Sequence, residues 1–391
     1  MKSIVEKALE YERDDAQRDK SPRIIHKTEA LLAKPPVRST VDEEARKHVS
    51  APRILVVGCG GAGNNSVNRL MSNGIHGAKT IAVNTDIQHF EIIDADQKIL
   101  IGTHITKGLG AGGDPALAER AADESRQALQ DSLRGADLVF VTAGMGGGTG
   151  TGTAPVVAKI AKDMDAIVVS IVTTPFVVER ARLLKAFDGL KRLREHSHSM
   201  IVLDNNRLLK ICPNQPINEA FRTMDSLIAE IVQGITETIT LPSLINLDYA
   251  DVRTIMKQGG IAMMLYGETE NSDPEEVVSR TLHNQLLNVK YKGASAALIH
   301  ITGGEGLSLR TANAVANGIT RELNQNANII LGARVNPDFG SRIKVMTIIT
   351  GVNSPSIPGG GEISAGQHPM NTVGGSRPHM NPAQTSIPWV R

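Results

Sequence analysis

The chain has 391 residues, 41% of them hydrophobic and 21% charged, with a formal net charge of +1; this supplies cores for two ordinary domains and no basic surface for nucleic acid. Aromatic residues make up 3%, too few for the base-stacking platform of a single-strand binder. The two cysteines, Cys59 and Cys212, exclude a disulfide framework and, with no CxxC or Cys/His cluster, a zinc site.

Residues 1–50 form a polar extension in which Ile4, Val5, Ala8 and Leu9 can line one face of a short helix. It reads either as a mobile arm or as a docking helix. Its charged start has no apolar core for a secretory signal. Runs such as Ala166–Val172 are too short to span a bilayer. The expectation is a soluble cytoplasmic protein with no membrane insertion.

From Arg53 the pattern alternates. Ile54–Gly58, Thr80–Asp86, Lys98–Gly102, Leu138–Gly144, Ile167–Pro175 and Met200–Asn206 are apolar runs separated by helical segments. One such segment, DPALAERAADESRQAL, opens with Asp114-Pro115, an N-cap followed by proline at the first helical position. Buried β-branched runs between helices predict an α/β fold with a parallel sheet covered on both faces. Asn218–Thr240 follows as a long helix, with Phe221, Met224, Ile228, Ile231 and Ile235 at three- and four-residue spacing. Beyond Asp251, three strand-like runs (ASAALIHITGG, ANIILGARV, SRIKVMTIITGV) and a helix between the first two predict a smaller mixed α/β domain. From residue 352 the Pro-, Gly-, Ser- and Asn-rich composition predicts a disordered tail.

Glycine marks the chemistry. Val56–Asn65 reads VVGCGGAGNN and contains Gly58-x-Gly60-x-x-Gly63. With Asp86 as a ribose acid, this fits a dinucleotide-binding oxidoreductase. Gly58 and Gly63 are assigned to the turn and to close strand–helix packing, and Cys59 to packing beneath the turn. The second loop, AGMGGGTGTG (Ala143–Gly152), lies between a strand and a helix and supplies six glycines and two threonines. So many unencumbered N–H groups beside hydroxyls point to phosphate wrapping. No lysine follows, so this is not a Walker loop. A third loop, GLGAGGD (Gly108–Asp114), is placed at another strand-to-helix junction. Three such loops on one parallel sheet predict a di- or triphosphate site.

GGGTGTG is the signature of the tubulin/FtsZ family, and GCGGAGNN, AVNTD, GLGAGGDP, TTPF, the NEAFRTMD helix start and NLDYADV occur in family order. Over roughly residues 53–351 the chain resembles this family, most closely archaeal FtsZ. The resemblance implies a Rossmann-like GTP-binding domain (51–217), a central connecting helix (218–241) and a C-terminal activation domain (242–351). It implies GTP/GDP as the nucleotide and Mg²⁺ on its phosphates. Gly60, Gly61 and Asn64 would contact phosphates and ribose, with Asn84 and Asp86 beside them. Ala111 and Gly112 would reach the γ-phosphate, and Gly147, Gly148, Thr149 and Gly150 would wrap the β-phosphate. Glu179 would hold the ribose, Asn205 and Asp225 would read guanine, and Phe221 would stack on it. One position departs: the family's arginine four residues after the glutamate is Leu183 here, with Arg180 and Arg182 nearby.

Asn246, Asp248 and Asp251 lie in SLINLDYADV, just beyond the long helix. Alone they read as caps or solvated turn residues. The resemblance instead makes them catalytic on the γ-phosphate of the next subunit in a head-to-tail homopolymer. The implied role is a polymerising GTPase of the division ring at mid-cell, or a cell-shape scaffold with the same nucleotide loops. The tail, ending in SIPWVR with the only tryptophan, Trp389, reads either as inert or as a tether to a membrane-anchor adaptor.

Overall fold

Short runs rich in Ile, Val and Leu fold as strands, most of them buried on both faces. The computed structural model describes residues 52–240, 245, 249–257, 261–271, 273–282 and 292–352. β1 (Ile54–Cys59) feeds α1 (Gly60–Asn73), β2 (Ala78–Asn84) feeds the short α2 (Ile87–Glu91), and β3 (Gln97–Leu100) precedes α3 (Thr103–Thr106), α4 (Pro115–Glu124) and α5 (Arg126–Leu133). β4 (Leu138–Gly144) feeds α6 (Thr149–Asp163), β5 (Ile167–Thr174) feeds α7 (Arg180–His196), and β6 (Ser199–Asp204) precedes α8 (Leu208–Ile211) and α9 (Ile217–Thr240). These strands run parallel in the order β3-β2-β1-β4-β5-β6, the Rossmann-like arrangement expected. Strand order reverses between β1 and β4, and ligands of open parallel sheets bind beyond the carboxyl ends at that point.

Two local expectations are corrected. The helix expected from Asp114 onward breaks at Ser125, whose hydroxyl accepts from Gly102 N at 3.1 Å. The serine satisfies a neighbouring backbone donor where the helical ladder stops. The cap itself is as expected: the Asp114 carboxylate accepts from Ala116 N. The third glycine loop also lies between two helices, α3 and α4, rather than directly after a strand.

The second half of the chain continues the same sheet. After α10 (Tyr249–Lys257), β7 (Ile261–Thr269) pairs with β6 through Met200 and Ile261. α11 (Pro274–Leu282), β8 (Ala296–Gly303), α12 (Leu309–Thr320), β9 (Asn328–Val335) and β10 (Ile343–Val352) follow. β10 runs antiparallel to both β7 and β8, and β8 is parallel to β9. β7 was not anticipated, because IAMMLYGET is poor in the β-branched residues that signal a strand.

α9 joins the two halves. Met224, Ile228, Ile231, Val232 and Ile235 are buried in one cluster with Met346 and Ile348 of β10. Each such side chain contributes about 1.5–3 kcal/mol on burial. At Gly234 a Cβ would meet the Met346 sulfur, so a larger residue there would require the Met346 side chain to shift. Phe221 leaves the apolar stripe: it is 40% exposed, at the end of α9 nearer the glycine loops.

α1 crosses β4 at Gly63, where a Cβ would collide with the carbonyl oxygen of Thr142 while the Thr142 hydroxyl donates to Gly63 O at 3.1 Å. The obstacle is backbone and cannot rotate away. Gly63→Ala is therefore expected to cost about 2–3 kcal/mol in urea unfolding. A loss under about 0.5 kcal/mol would show that α1 can shift without penalty.

Candidate functional site

The glycine loops interlock. Gly60, at φ +71°, follows β1 and opens α1, and a Cβ there would lie 2.6 Å from Gly150 N. A Cβ on Gly150 would lie 2.7 Å from Gly144 O and 3.1 Å from Cys59 O. The first two loops thus touch backbone to backbone, which no larger residue permits. The third loop closes on the second, with Gly148 against Asp114 N and Ala111. It also clamps the end of β2: Gly110 N donates to Thr85 O at 3.1 Å and Ile87 N to Gly108 O at 3.0 Å. The Thr85 and Thr149 hydroxyls meet at 2.7 Å. Gly112 and Gly147 differ from these, since a Cβ on either would meet nothing within 4 Å. The loops are packed on one side and open on the other, beside the amino ends of α1 and α6, where helix dipoles favour an anion.

The polar side chains around the first loop divide into builders and orphans. Asn84 is buried, and its Oδ1 accepts from Thr85 N at 2.9 Å. The Asp86 carboxylate caps α2, accepting from Gln88 N and His89 N. Both bonds go to Oδ1, so the carboxylate holds the turn that follows β2. Asn64 is fully buried; its amide donates to Val83 O at 3.3 Å, and its Oδ1 has no partner among the described residues. His89, which sequence reasoning passed over, bridges the Asn84 amide and Asn65 Oδ1 at 3.4 and 3.2 Å and is the side chain nearest Gly61.

A second pocket opens beside the loops between α1 and α9, lined by Asn205, Phe221, Asp225, Ser66 and Thr173. Phe176 and Phe221 meet in an edge-type contact with ring centroids 6.0 Å apart. Asp225 accepts from the Ser66 hydroxyl at 3.0 Å. Burial pushes its carboxyl up to about 6, against the pull of that hydroxyl and of Arg69. Asn205 Oδ1 is buried without a partner among the described residues. Two acceptors therefore face an apolar slot that a flat molecule with adjacent N–H donors would satisfy. Ser66 and Phe176 were not singled out from sequence, since their roles depend on contacts with α9.

Glu179 stands at the start of α7. Its Oε1 accepts from Phe176 N at 3.0 Å and its Oε2 from Arg182 at 2.5 Å. Arg182, one candidate to replace the family's arginine, is thus held by Glu179, and Leu183 is half-buried. The Cys59 thiol is fully buried and pushed up to about 12 by desolvation, as expected for a packing residue.

Asp251 lies elsewhere. It is not in a loop, as expected, but in the first turn of α10; acidic residues there favour the helix dipole. α10 is fastened to the amino ends of the strands: Tyr249 donates to Asp137 O at 2.7 Å, just before β4, and Arg253 pairs with Asp165 at 3.3 Å, just before β5. The glycine loops lie at the carboxyl ends. Asn246 and Asp248 lie outside the described residues, as do the extension 1–50 and the tail beyond Val352. No described helix is long and apolar enough to cross a membrane.

Two family profiles match: "Tubulin/FtsZ family, GTPase domain" over residues 53–213 and "FtsZ family, C-terminal domain" over residues 260–353. Cell division protein FtsZ 2 of Methanocaldococcus jannaschii is 55% identical over 326 residues, covering 82% of this chain and 86% of that protein. Cell division protein FtsZ 2 of Haloferax volcanii is 52% identical over 360 residues, covering 92% and 85%. Among solved structures, an empty FtsZ dimer from M. jannaschii aligns with a TM-score of 0.74 and 44% identity, covering 80% of this chain and 92% of that one. The chain belongs to the tubulin/FtsZ family and carries its GTPase domain.

Proposed function

We propose that this FtsZ-family protein is a self-assembling GTPase that polymerises head-to-tail into filaments of the cell-division ring and hydrolyses GTP where one subunit meets the next. The observation that carries this reading is the separation of the two halves of the chemistry along the sheet. The glycine loops and base pocket lie beyond the carboxyl ends of the strands, and the helix bearing Asp251 is bound at their amino ends. β4 alone spans about 23 Å at ~3.3 Å per residue. This separation supports assigning Asp251, with Asn246 and Asp248 just before it in sequence, to a nucleotide on a second copy. A contact joining two different faces of one chain repeats without closing and builds filaments.

In this reading residues 51–217 bind the nucleotide, 218–241 connect, and 242–351 supply the acids. Gly60, Gly61 and Asn64 contact the phosphates and ribose, Ala111 and Gly112 the γ-phosphate, and Gly147, Gly148, Thr149 and Gly150 the β-phosphate. Glu179 holds the ribose, Phe221 stacks on guanine, and Asn205 and Asp225 accept from its N–H groups. Asn246, Asp248 and Asp251 of the next subunit orient the water that attacks the γ-phosphorus, breaking its bond to the β–γ bridging oxygen. Among the described residues no group of three or more His, Cys, Asp or Glu side chains converges. On this reading Mg²⁺ is held by phosphate oxygens and water rather than by a protein cage. Bound there, it would offset the charge of phosphates and incoming aspartates.

Light scattering and phosphate release, followed together after adding GTP and Mg²⁺, test the reading. Specific activity is expected to rise with protein concentration as filaments form, and a flat profile would point to a self-contained site. In cells the protein is expected in the cytoplasm at mid-cell, with the tail bound by a membrane-anchor adaptor. Deleting Ser386–Arg391 is expected to spare polymerisation in vitro and reduce recruitment to the membrane. Unchanged localisation of the tagged, truncated protein would remove the tail motif from the account.

A further inference from the structure

We infer that Lys185 is the side-chain cation that distinguishes a nucleoside triphosphate from a diphosphate at this site. The inference rests on the nucleotide reading above and adds a residue to it. The three glycine loops contain no lysine or arginine, so they bring no side-chain cation of their own to the most charged part of the ligand. Arg182, the nearer candidate, is engaged by Glu179. Lys185 lies one turn further along α7, and its Nζ donates to the carbonyl of Gly113 at 2.6 Å. Gly113 adjoins Gly112, the position in the third loop that opens on empty space.

The placement of this ammonium is fixed by its helix. Gly189, four residues on and on the same face, lies so close to Thr151 that a Cβ would collide with its methyl group. Arg192, one further turn along, pairs with Glu119 of α4 at 2.7 Å. α7 is thus pinned to α6 and α4, and Lys185 is carried to the junction of the second and third loops. The Gly113 carbonyl uses one of its three N–H donors. The remaining two, on an exposed side chain, are available to a terminal phosphate at Ala111 and Gly112. A diphosphate ends at the second loop and gains little from them. Lysine suits the task because it meets phosphate as a point charge and does not require a bidentate plane.

The test measures GTP and GDP affinities of the full chain, below the concentration at which it assembles, for wild type, Lys185→Gln, Lys185→Arg and the same-helix control Lys191→Gln. Lys185→Gln is expected to weaken GTP about 5–10-fold, as for loss of an exposed charge-assisted contact, and to change GDP less than about 2-fold. Lys185→Arg should restore most of the GTP affinity, and Lys191→Gln should leave both nucleotides unchanged. Equal weakening of GTP and GDP by Lys185→Gln would overturn the inference, reducing Lys185 to a brace for the third loop. An unchanged GTP-to-GDP ratio would also overturn it. Failure of the wild type to bind either nucleotide would instead sink the nucleotide reading.

Discussion

Asp248→Ala is expected to lower GTP turnover ~100-fold or more, the usual effect of removing a group that positions the attacking water, while GTP affinity stays within about 2-fold. The split follows from geometry. Asp248 belongs to the segment that leads into α10, and α10 is tied to the amino ends of β4 and β5. The first two glycine loops follow the carboxyl ends of β1 and β4. On the proposed reading an acid preceding α10 serves the nucleotide of a neighbouring subunit, so its loss is expected to leave binding intact. Phosphate release and equilibrium nucleotide binding on the same preparation check both halves. A mixing experiment goes further. Asp248→Ala subunits are expected to bind GTP but lack the acid, and Asp225→Asn subunits to keep the acid but bind GTP weakly. If the acid acts across the interface, the mixture hydrolyses GTP faster than the sum of its parts. Turnover by Asp248→Ala at the wild-type rate would remove this residue from the mechanism.

How much of this could be read from sequence depended on the range of the interactions. The parallel strands were legible because β-branched runs such as Ile167–Thr174 carry their preference locally. The glycine loops were legible because few structures need six glycines within ten residues. The Asp114-Pro115 cap was legible for the same local reason. β7 was not, since a Met- and Ala-rich run takes its strand form from β10 beside it. Asp251 looked like a loop residue because the start of α10 carries no strong local signal, and its position is set by the bonds to Asp137 and Asp165. Ser66, His89 and Phe176 escaped notice because each acts through a partner distant in sequence or in a separate turn. The break at Ser125 depends on Gly102 N, a donor on a different loop. The candidate site was thus legible where backbone chemistry defines it, and hidden where side chains from separate elements meet.

The base pocket makes the second large prediction. Guanine offers two adjacent donors, N1–H and the 2-amino group, to a carboxylate; adenine offers an acceptor at N1. Asp225, buried between α1 and α9 and held by Ser66, fits the first. Asp225→Asn places an N–H donor opposite the 2-amino group. GTP affinity is expected to fall on the order of 100-fold, corresponding to one lost charge-assisted hydrogen bond and one donor left facing a donor. Xanthosine triphosphate, with a carbonyl in place of that amino group, should bind the variant better than GTP does. The pH profile gives an independent check. In the free protein burial raises the Asp225 carboxyl to about 6. Guanine binds the ionised form, so affinity is full above that value and is lost as pH falls through it, when the protonated carboxyl can no longer accept both donors. Asp225→Asn has no proton to gain, so the part of the pH dependence that comes from this carboxyl should be absent from its weaker binding. Competition titrations of GTP and xanthosine triphosphate from pH 5 to pH 8 measure all of this. GTP affinity within about threefold of wild type in Asp225→Asn, or an unchanged pH profile, would mean that Asp225 is a buried partner of Ser66 and not the residue that reads the base.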